Sequence, residues 1–304
     1  MSSPPEQTTQ VPSDISLRFL FDNADIRGET VRLNATLEEI LAVHQYAPAV
    51  GQLIGEFLAA AVLLSSTLKF EGKLILQARS EGQIPLLMVE CTNQGHVRAI
   101  ARGAEQTTSA DFAHLLTNGQ LAITVDPVNG QRYQSIVPLA ADSLAHSLDT
   151  YFDQSEQLPT RFWLASDPPH AAGMLLQQMP AQGRDDAEQR AQQWQHACSL
   201  AGTIKQEELL ELSTEELLHR LYHEDPVRIF DPSAVKFQCS CSRERTLNAL
   251  ASIDNTELEE ILREHGSITM DCEFCNQQYQ FQRDDVAALL PIADEGGKEP
   301  GTVH

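Results

Sequence analysis

The sequence predicts an α+β chain in three parts: an N-terminal mixed domain with a largely antiparallel sheet and packed helices, a helical linker, and a small C-terminal domain built on four cysteines. Three observations predict it. Short strand-like runs divided by hairpin turns fill the chain up to about Met179, with one long apolar helix among them. The composition then turns polar while helix signals continue. Finally, Cys239 and Cys241 stand one residue apart, Cys272 and Cys275 two apart, and thirty residues separate the pairs.

Composition bounds the reading. A chain of 304 residues, 42% hydrophobic, is long enough for two domains. Its 21 basic and 43 acidic residues leave a formal charge of −22. That balance disfavours nucleic acid and anionic membrane as partners, because gripping phosphate needs clustered Lys and Arg. The longest apolar run, Phe57 to Leu64, is too short to span a bilayer. Residues 1–14 are polar and rich in Pro, Ser and Gln, so a disordered tail without a secretory signal is expected there, and a second tail at 291–304. Free thiols without an export signal predict a reducing cytoplasm, where thiolates are available to metal.

The N-terminal domain is expected over 15–179. Leu17–Phe21 and Glu29–Leu33 read as strands, and Thr36 with Glu39 as a capping box opening a helix over Leu37–His44. From Pro48 to about Leu68, the apolar residues Val50, Leu53, Ile54, Phe57, Leu58, Ala61, Val62 and Leu64 share one broad helical face, the pattern of a core helix. Strands follow at Lys73–Arg79, Leu86–Cys91, Val97–Ala101, Leu121–Val125 and Arg132–Val137, with turns at Asn93-Gln94-Gly95 and Asn129-Gly130. A helix over Asp142–Phe152 and strands at Arg161–Ala165 and Gly173–Met179 complete the domain. It shows neither a Gly-rich phosphate loop nor a nucleophile motif. His44, His96, His114 and His146 are isolated, and Cys91 and Cys198 are expected to be inert buried thiols.

The linker is expected over 180–232. Its first half, Ala181–Gln195, is dominated by Gln, Asp, Glu and Arg, with Trp194 nearly alone among apolar residues. Ser213 and Glu216 form a second capping box ahead of Leu217, Leu218, Leu221 and Tyr222. Propensity rarely holds so thin an apolar stripe in place, so this segment's order should depend on what it packs against.

The third domain is expected over 233–290. Thr256 with Glu259 should cap a helix through Arg263 that Gly266 ends, and strands at Ile268–Met270 and Tyr279–Gln282 should flank the second cysteine pair. Five basic residues stand against ten acidic ones, a net of −5, which argues against DNA. Two pairs of close cysteines ask for a shared partner. Zn²⁺ is the natural one, satisfied by four sulfurs in a tetrahedron. The alternatives are scattered core cysteines, a disulfide scaffold better suited to a small secreted protein, or a closed structural zinc site. Cys-x-Cys is tighter than an ordinary zinc knuckle, which suggests a site that holds metal but is also built to release it.

So small a domain buries too little apolar surface to be comfortable alone, and loss of metal should unfold it. Arg243 and Arg245 add local positive charge that favours the oxidisable thiolate. Four cysteines allow three disulfide pairings. A link between the distant pairs would close a long loop and partly restore the lost constraint. Links within each pair would close tiny loops that constrain least, and those partners are nearest. In the latter case the domain would stay unfolded and the linker would lose a packing partner, leaving exposed apolar surface.

These residues resemble the redox-regulated bacterial holdase chaperones of the heat-shock protein 33 family along nearly the whole chain. The specific feature is Cys239-x-Cys241 followed by Cys272-x-x-Cys275. Supporting stretches include Arg18-Phe19-Leu20-Phe21, Thr67-Leu68-Lys69-Phe70, Arg132-Tyr133-Gln134, Ser155-Glu156-Gln157-Leu158-Pro159-Thr160, Leu221-Tyr222-His223-Glu224 and Cys241-Ser242-Arg243-Glu244-Arg245. The resemblance implies one Zn²⁺ per reduced chain, held by Cys239, Cys241, Cys272 and Cys275. It implies oxidation to the disulfides Cys239 with Cys241 and Cys272 with Cys275, zinc release, and unfolding of the zinc domain and linker. It further implies a homodimer on oxidation that binds unfolded or partly folded client proteins without ATP and passes them to ATP-dependent foldase chaperones. The chain would then not be an enzyme.

Two other classes remain for comparison. One is a constitutive zinc-module protein binding a fixed protein partner or nucleic acid. The other is a thiol oxidoreductase using Cys272-Glu273-Phe274-Cys275, which would need one exposed thiol opening a helix, whereas this pair lies between strand signals.

Overall fold

The computed structural model describes residues 14–68, 71–140, 142–155, 158–181 and 186–287. Apart from Asp14, the two expected tails lie outside these residues, as do Lys69-Phe70 and Glu156-Gln157 from the stretches quoted above. The chain divides into two units, one ending at Cys239 and one beginning at Ser240.

The first unit opens with β1 (Ile15–Phe21), β2 (Ile26–Leu33) and α1 (Ala35–Leu41), followed by α2 (Pro48–Thr67). Next come β3 (Gly72–Arg79), β4 (Leu86–Thr92), β5 (His96–Arg102), α3 (Phe112–Leu115), β6 (Gln120–Pro127) and β7 (Tyr133–Pro138). Then follow α4 (Leu144–Ser155), β8 (Thr160–Asp167) and β9 (His170–Gln178). The residues expected to form a linker make α5 (Ala187–Ala201), α6 (Gln206–Glu211), α7 (Thr214–Tyr222) and β10 (Val227–Ile229), and β11 (Ser233–Ala234) and β12 (Lys236–Phe237) end the unit.

These strands make two six-stranded sheets. One runs β10-β1-β2-β9-β8, with β11 also on β1; the other runs β12-β5-β4-β3-β6-β7. Every pairing is antiparallel except β12 with β5, which is parallel. The α+β architecture with a largely antiparallel sheet is therefore as the strand patterns predict. Between the sheets lies α2, packed against β2, β8 and β9 on one side and β3, β4 and β5 on the other. By length and composition α2 could cross a membrane, but 78% of its apolar window is buried in the protein, the setting of a core helix.

Both faces of the first sheet are covered. Leu33, Phe162 and Leu175 face the α2 core, while Phe19, Met174 and Leu176 belong to a second cluster with Ala197, Leu217, Leu221 and Tyr222 of α5 and α7. Two-sided burial explains why β9 reads as an almost unbroken apolar run. Tyr222 anchors the second cluster: its ring meets Phe21 edge-on at 4.9 Å and its hydroxyl donates to the Ala197 carbonyl at 3.0 Å. Gly28 leaves room for the Phe19 ring, since a Cβ there would fall 2.0 Å from Phe19 Cζ.

Several local expectations need correction. α1 begins earlier than the Thr36–Glu39 box implies, with Asn34 at its N-cap and no side-chain cap of its own. Its first amides are satisfied from a distance: the Asp14 carboxylate accepts from the N–H groups of Asn34, Ala35 and Thr36. The hairpin at Asn129-Gly130 forms, with Gly130 at φ 124°, but β7 starts at Tyr133, one residue after Arg132, whose side chain pairs with Asp126 at 3.1 Å. Cys91 is buried in β4, whereas Cys198 in α5 is only half-buried.

The second unit contains α8 (Arg243–Leu250), α9 (Asn255–His265), the hairpin β13 (Ile268–Asp271) with β14 (Gln278–Phe281), and α10 (Arg283–Val286). Gly266 ends α9 in the left-handed conformation at φ 74°, as expected. The N-cap of α9 is Asp254 rather than Thr256: the Asp254 carboxylate accepts from the Thr256 amide at 2.8 Å. The unit's core consists of Leu250, Leu258, Leu262, Ile268, Phe281 and Val286.

Candidate metal centre

The Cys-x-Cys limb follows β12, whose two residues pair with His96 and Val97 of β5. Gln238 continues that pairing by donating its amide to the Val97 carbonyl at 3.0 Å, and Cys239 comes next. On β5, Arg98 places a guanidinium nitrogen 3.5 Å from the Cys239 sulfur while pairing with the buried Glu90 at 2.9 Å. After Cys241, Ser242 caps α8 by accepting from the Arg245 amide, and the Arg245 side chain returns to the Ser240 carbonyl at 2.6 Å. The helix start thus holds the loop between the two cysteines.

The Cys-x-x-Cys limb is a turn between β13 and β14. The Cys272 amide donates to the Gln277 carbonyl at 2.9 Å, and the amides of Cys275 and Asn276 donate to the Cys272 carbonyl at 3.1 and 2.7 Å. Asn276 adopts φ 56°, a left-handed conformation that asparagine tolerates better than most residues. This compact turn directs both sulfurs to one side of the hairpin.

The four thiol sulfurs of Cys239, Cys241, Cys272 and Cys275 all lie within 4.8 Å of one another, each residue half-buried. Four sulfurs about 2.3 Å from a tetrahedral Zn²⁺ would stand about 3.8 Å apart, so the cluster has the right dimensions. Its donor set is purely soft sulfur, which also suits Zn²⁺. Among the described residues it is the one group of three or more His, Cys, Asp or Glu side chains so arranged. Cys241 Sγ lies 3.5 Å from Cys275 Sγ, so proximity does not choose among the three disulfide pairings.

Two further residues stand beside the cysteines within the second unit. Tyr279 of β14 donates its hydroxyl to Cys241 Sγ at 3.2 Å. That hydrogen bond, followed by desolvation, pushes the tyrosine's pKa up to about 12, so it remains a donor through neutral pH. Arg243 at the start of α8 donates to the Gln280 carbonyl at 2.6 Å, pairs with Asp285 at 2.7 Å and lies 4.5 Å over the Phe281 ring. It ties the helix after one cysteine pair to the strand after the other. Sequence reading placed Tyr279 in a strand and Arg243 among favourable charges, but the contacts of both depend on how α8 folds back on β14.

The other titratable candidates stay apart. Burial pushes the thiols of Cys91 and Cys198 up to about 12, which leaves them protonated and unreactive. His114 and His146 pair with their helix neighbours Asp111 and Asp142, and His44 packs edge-on against Tyr46.

Comparison with known proteins now bears on this arrangement. The family model described as "Hsp33 protein" matches residues 14–282. A 33 kDa chaperonin of Pseudomonas aeruginosa is 53% identical over 288 residues, covering 94% of this chain and 97% of the relative. One from Azotobacter vinelandii is 53% identical over 286 residues, covering 93% and 96%. The crystal structure of the 33 kDa chaperonin (heat shock protein 33 homolog) from Thermotoga maritima superposes with a TM-score of 0.76 at 23% identity, covering 90% of this chain and 97% of that one. At that identity the last comparison speaks to fold alone.

Proposed function

We propose, for a chain that belongs to the Hsp33 protein family and so is a chaperone, that it is a redox-regulated, ATP-independent holdase rather than an enzyme. The observation that carries this reading is the gathering of four sulfurs within 4.8 Å. Cys239, Cys241, Cys272 and Cys275 would hold Zn²⁺ in the reduced chain. Bound Zn²⁺ would keep the sulfurs as thiolates and join the two limbs.

Oxidation acts on the cysteines. A thiolate gives an electron pair to a hydroperoxide oxygen, the O–O bond breaks and hydroxide leaves, making a sulfenic acid. A second thiol attacks that sulfur, and water departs as the disulfide forms. We propose the pairs Cys239 with Cys241 and Cys272 with Cys275. Links this short hardly constrain the chain, and four thiolate ligands are lost together.

The unit then has little to hold it. We divide the chain functionally into a chaperone domain at 15–179, a metastable linker at 180–232 and the redox switch at 233–290. Unfolding of the linker would uncover the sheet face that α5 and α7 bury, including Phe19, Met174 and Leu176. That apolar face is what unfolding clients would bind, in a homodimer, before transfer to ATP-dependent foldases in the cytoplasm.

The test titrates peroxide into the zinc-loaded chain and follows zinc release together with suppression of client aggregation. Both should rise together and reverse on reduction with added zinc. Zinc loss without holding activity would instead mark a structural site, as in a constitutive zinc-module protein.

A further inference from the structure

We propose that Tyr279 is a positioning residue for Cys241, its hydroxyl hydrogen bond restraining that sulfur from attack on oxidants and other electrophiles. The inference rests on reading the four cysteines as a zinc-holding redox centre, and it concerns how that centre resists premature opening.

The geometry lies within the second unit. Tyr279 sits in β14, paired in register with Met270 of β13, and its half-buried ring packs against the unit's core. The next residue's carbonyl, at Gln280, receives the Arg243 guanidinium. Strand pairing and packing thus fix where the hydroxyl points. It points at Cys241 Sγ, 3.2 Å away, on the other cysteine limb. The hairpin that carries Cys272 and Cys275 therefore also supplies a donor to Cys241.

A hydrogen bond to sulfur draws on the lone-pair density that nucleophilic attack requires. When Cys241 meets a hydroperoxide, its sulfur must give an electron pair to one oxygen while the O–O bond breaks and hydroxide leaves. The Tyr279 donor has to be weakened for this to happen, so the step is slowed. Attack on iodoacetamide makes the same demand: the sulfur–carbon bond forms and iodide leaves. Hydrogen bonds of this kind shift rates by about threefold to tenfold.

The experiment compares wild type, Tyr279→Phe, and a chain with 4-aminophenylalanine at 279, all purified reduced with zinc. Phenylalanine keeps the ring and deletes the donor; the amino analogue restores a weaker N–H donor. Mass spectrometry reads the rate at which iodoacetamide labels Cys241, and cobalt-loaded chains report the sulfur-to-metal charge-transfer band. Cys241 should be labelled about threefold to tenfold faster in Tyr279→Phe, with the band moved to lower energy, and the amino analogue should fall between. Equal labelling rates and an unmoved band in both variants would overturn the proposal. Should Tyr279→Phe fail to retain metal, the amino analogue against wild type decides on the same two readouts. A wild-type chain that takes up neither zinc nor cobalt would instead sink the metal-centre reading itself.

Discussion

The two units of this chain are held by different means. The first wraps two six-stranded sheets around the buried helix α2 and seals the outer face of one sheet with α5 and α7. Among the described residues, the second has the helices α8 and α9, the β13–β14 hairpin, the short α10 and six buried apolar side chains. Burial is extensive in the first, whereas the described residues of the second bury only a small core to set against chain entropy. Three of the four gathered cysteines, Cys241, Cys272 and Cys275, belong to this second unit. On the proposed reading, the difference teaches where a switch can be placed: where burial is thin and cysteines gather.

The largest expected effect tests that contrast directly. Cys272→Ser should abolish tight zinc binding, which contributes on the order of 10–16 kcal/mol in comparable small modules. Hydrogen exchange should then show protection lost over 240–287 while the sheets around α2 keep theirs. Retained protection in the second unit would mean that its own packing suffices. Next, Phe57→Ala removes a fully buried ring from α2 and should cost the first unit about 3–5 kcal/mol. Denaturant unfolding should register the loss while zinc stoichiometry stays at the wild-type value.

A smaller effect belongs to Glu56, whose burial in α2 raises its carboxyl pKa to about 7. The folded chain then binds a proton that the unfolded chain has released, so this group weakens the fold as pH rises from about 4.5 to about 7. Glu56→Gln should therefore stabilise the first unit by about 1–3 kcal/mol at pH 8 and lose that advantage below about pH 5. Melting curves at the two pH values check the sign. The smallest effect sharpens the picture of the second unit: Arg243→Ala should lower the melting temperature of the zinc-loaded unit by a few degrees. An unchanged melting temperature would remove Arg243 as a tie between α8 and β14.

Much of this was legible in order along the chain. Strands β1 to β9 appear where alternation and hairpin turns predict them, and the Ser213–Glu216 capping box forms as read. The misses share a cause. Asp14 caps α1 from outside the helix, and Asp254 displaces Thr256 because capping depends on where the chain enters. Strands β10, β11 and β12 are two or three residues long, too short for any periodicity to register, and exist because β1 and β5 offer them an edge.

By itself the sequence determined the α+β class, the core helix after Pro48, the polar run after Met179 and the two cysteine pairs, since each depends on local periodicity or spacing. Only the tertiary structure decided that α2 would be enclosed by two sheets and that α5 and α7 would cover the second face of one of them. It alone set the Tyr279 hydroxyl on Cys241 and the Arg243 side chain on Phe281. Such contacts join residues 38 positions apart in sequence, where side-chain meeting is governed by how whole elements pack rather than by any local rule.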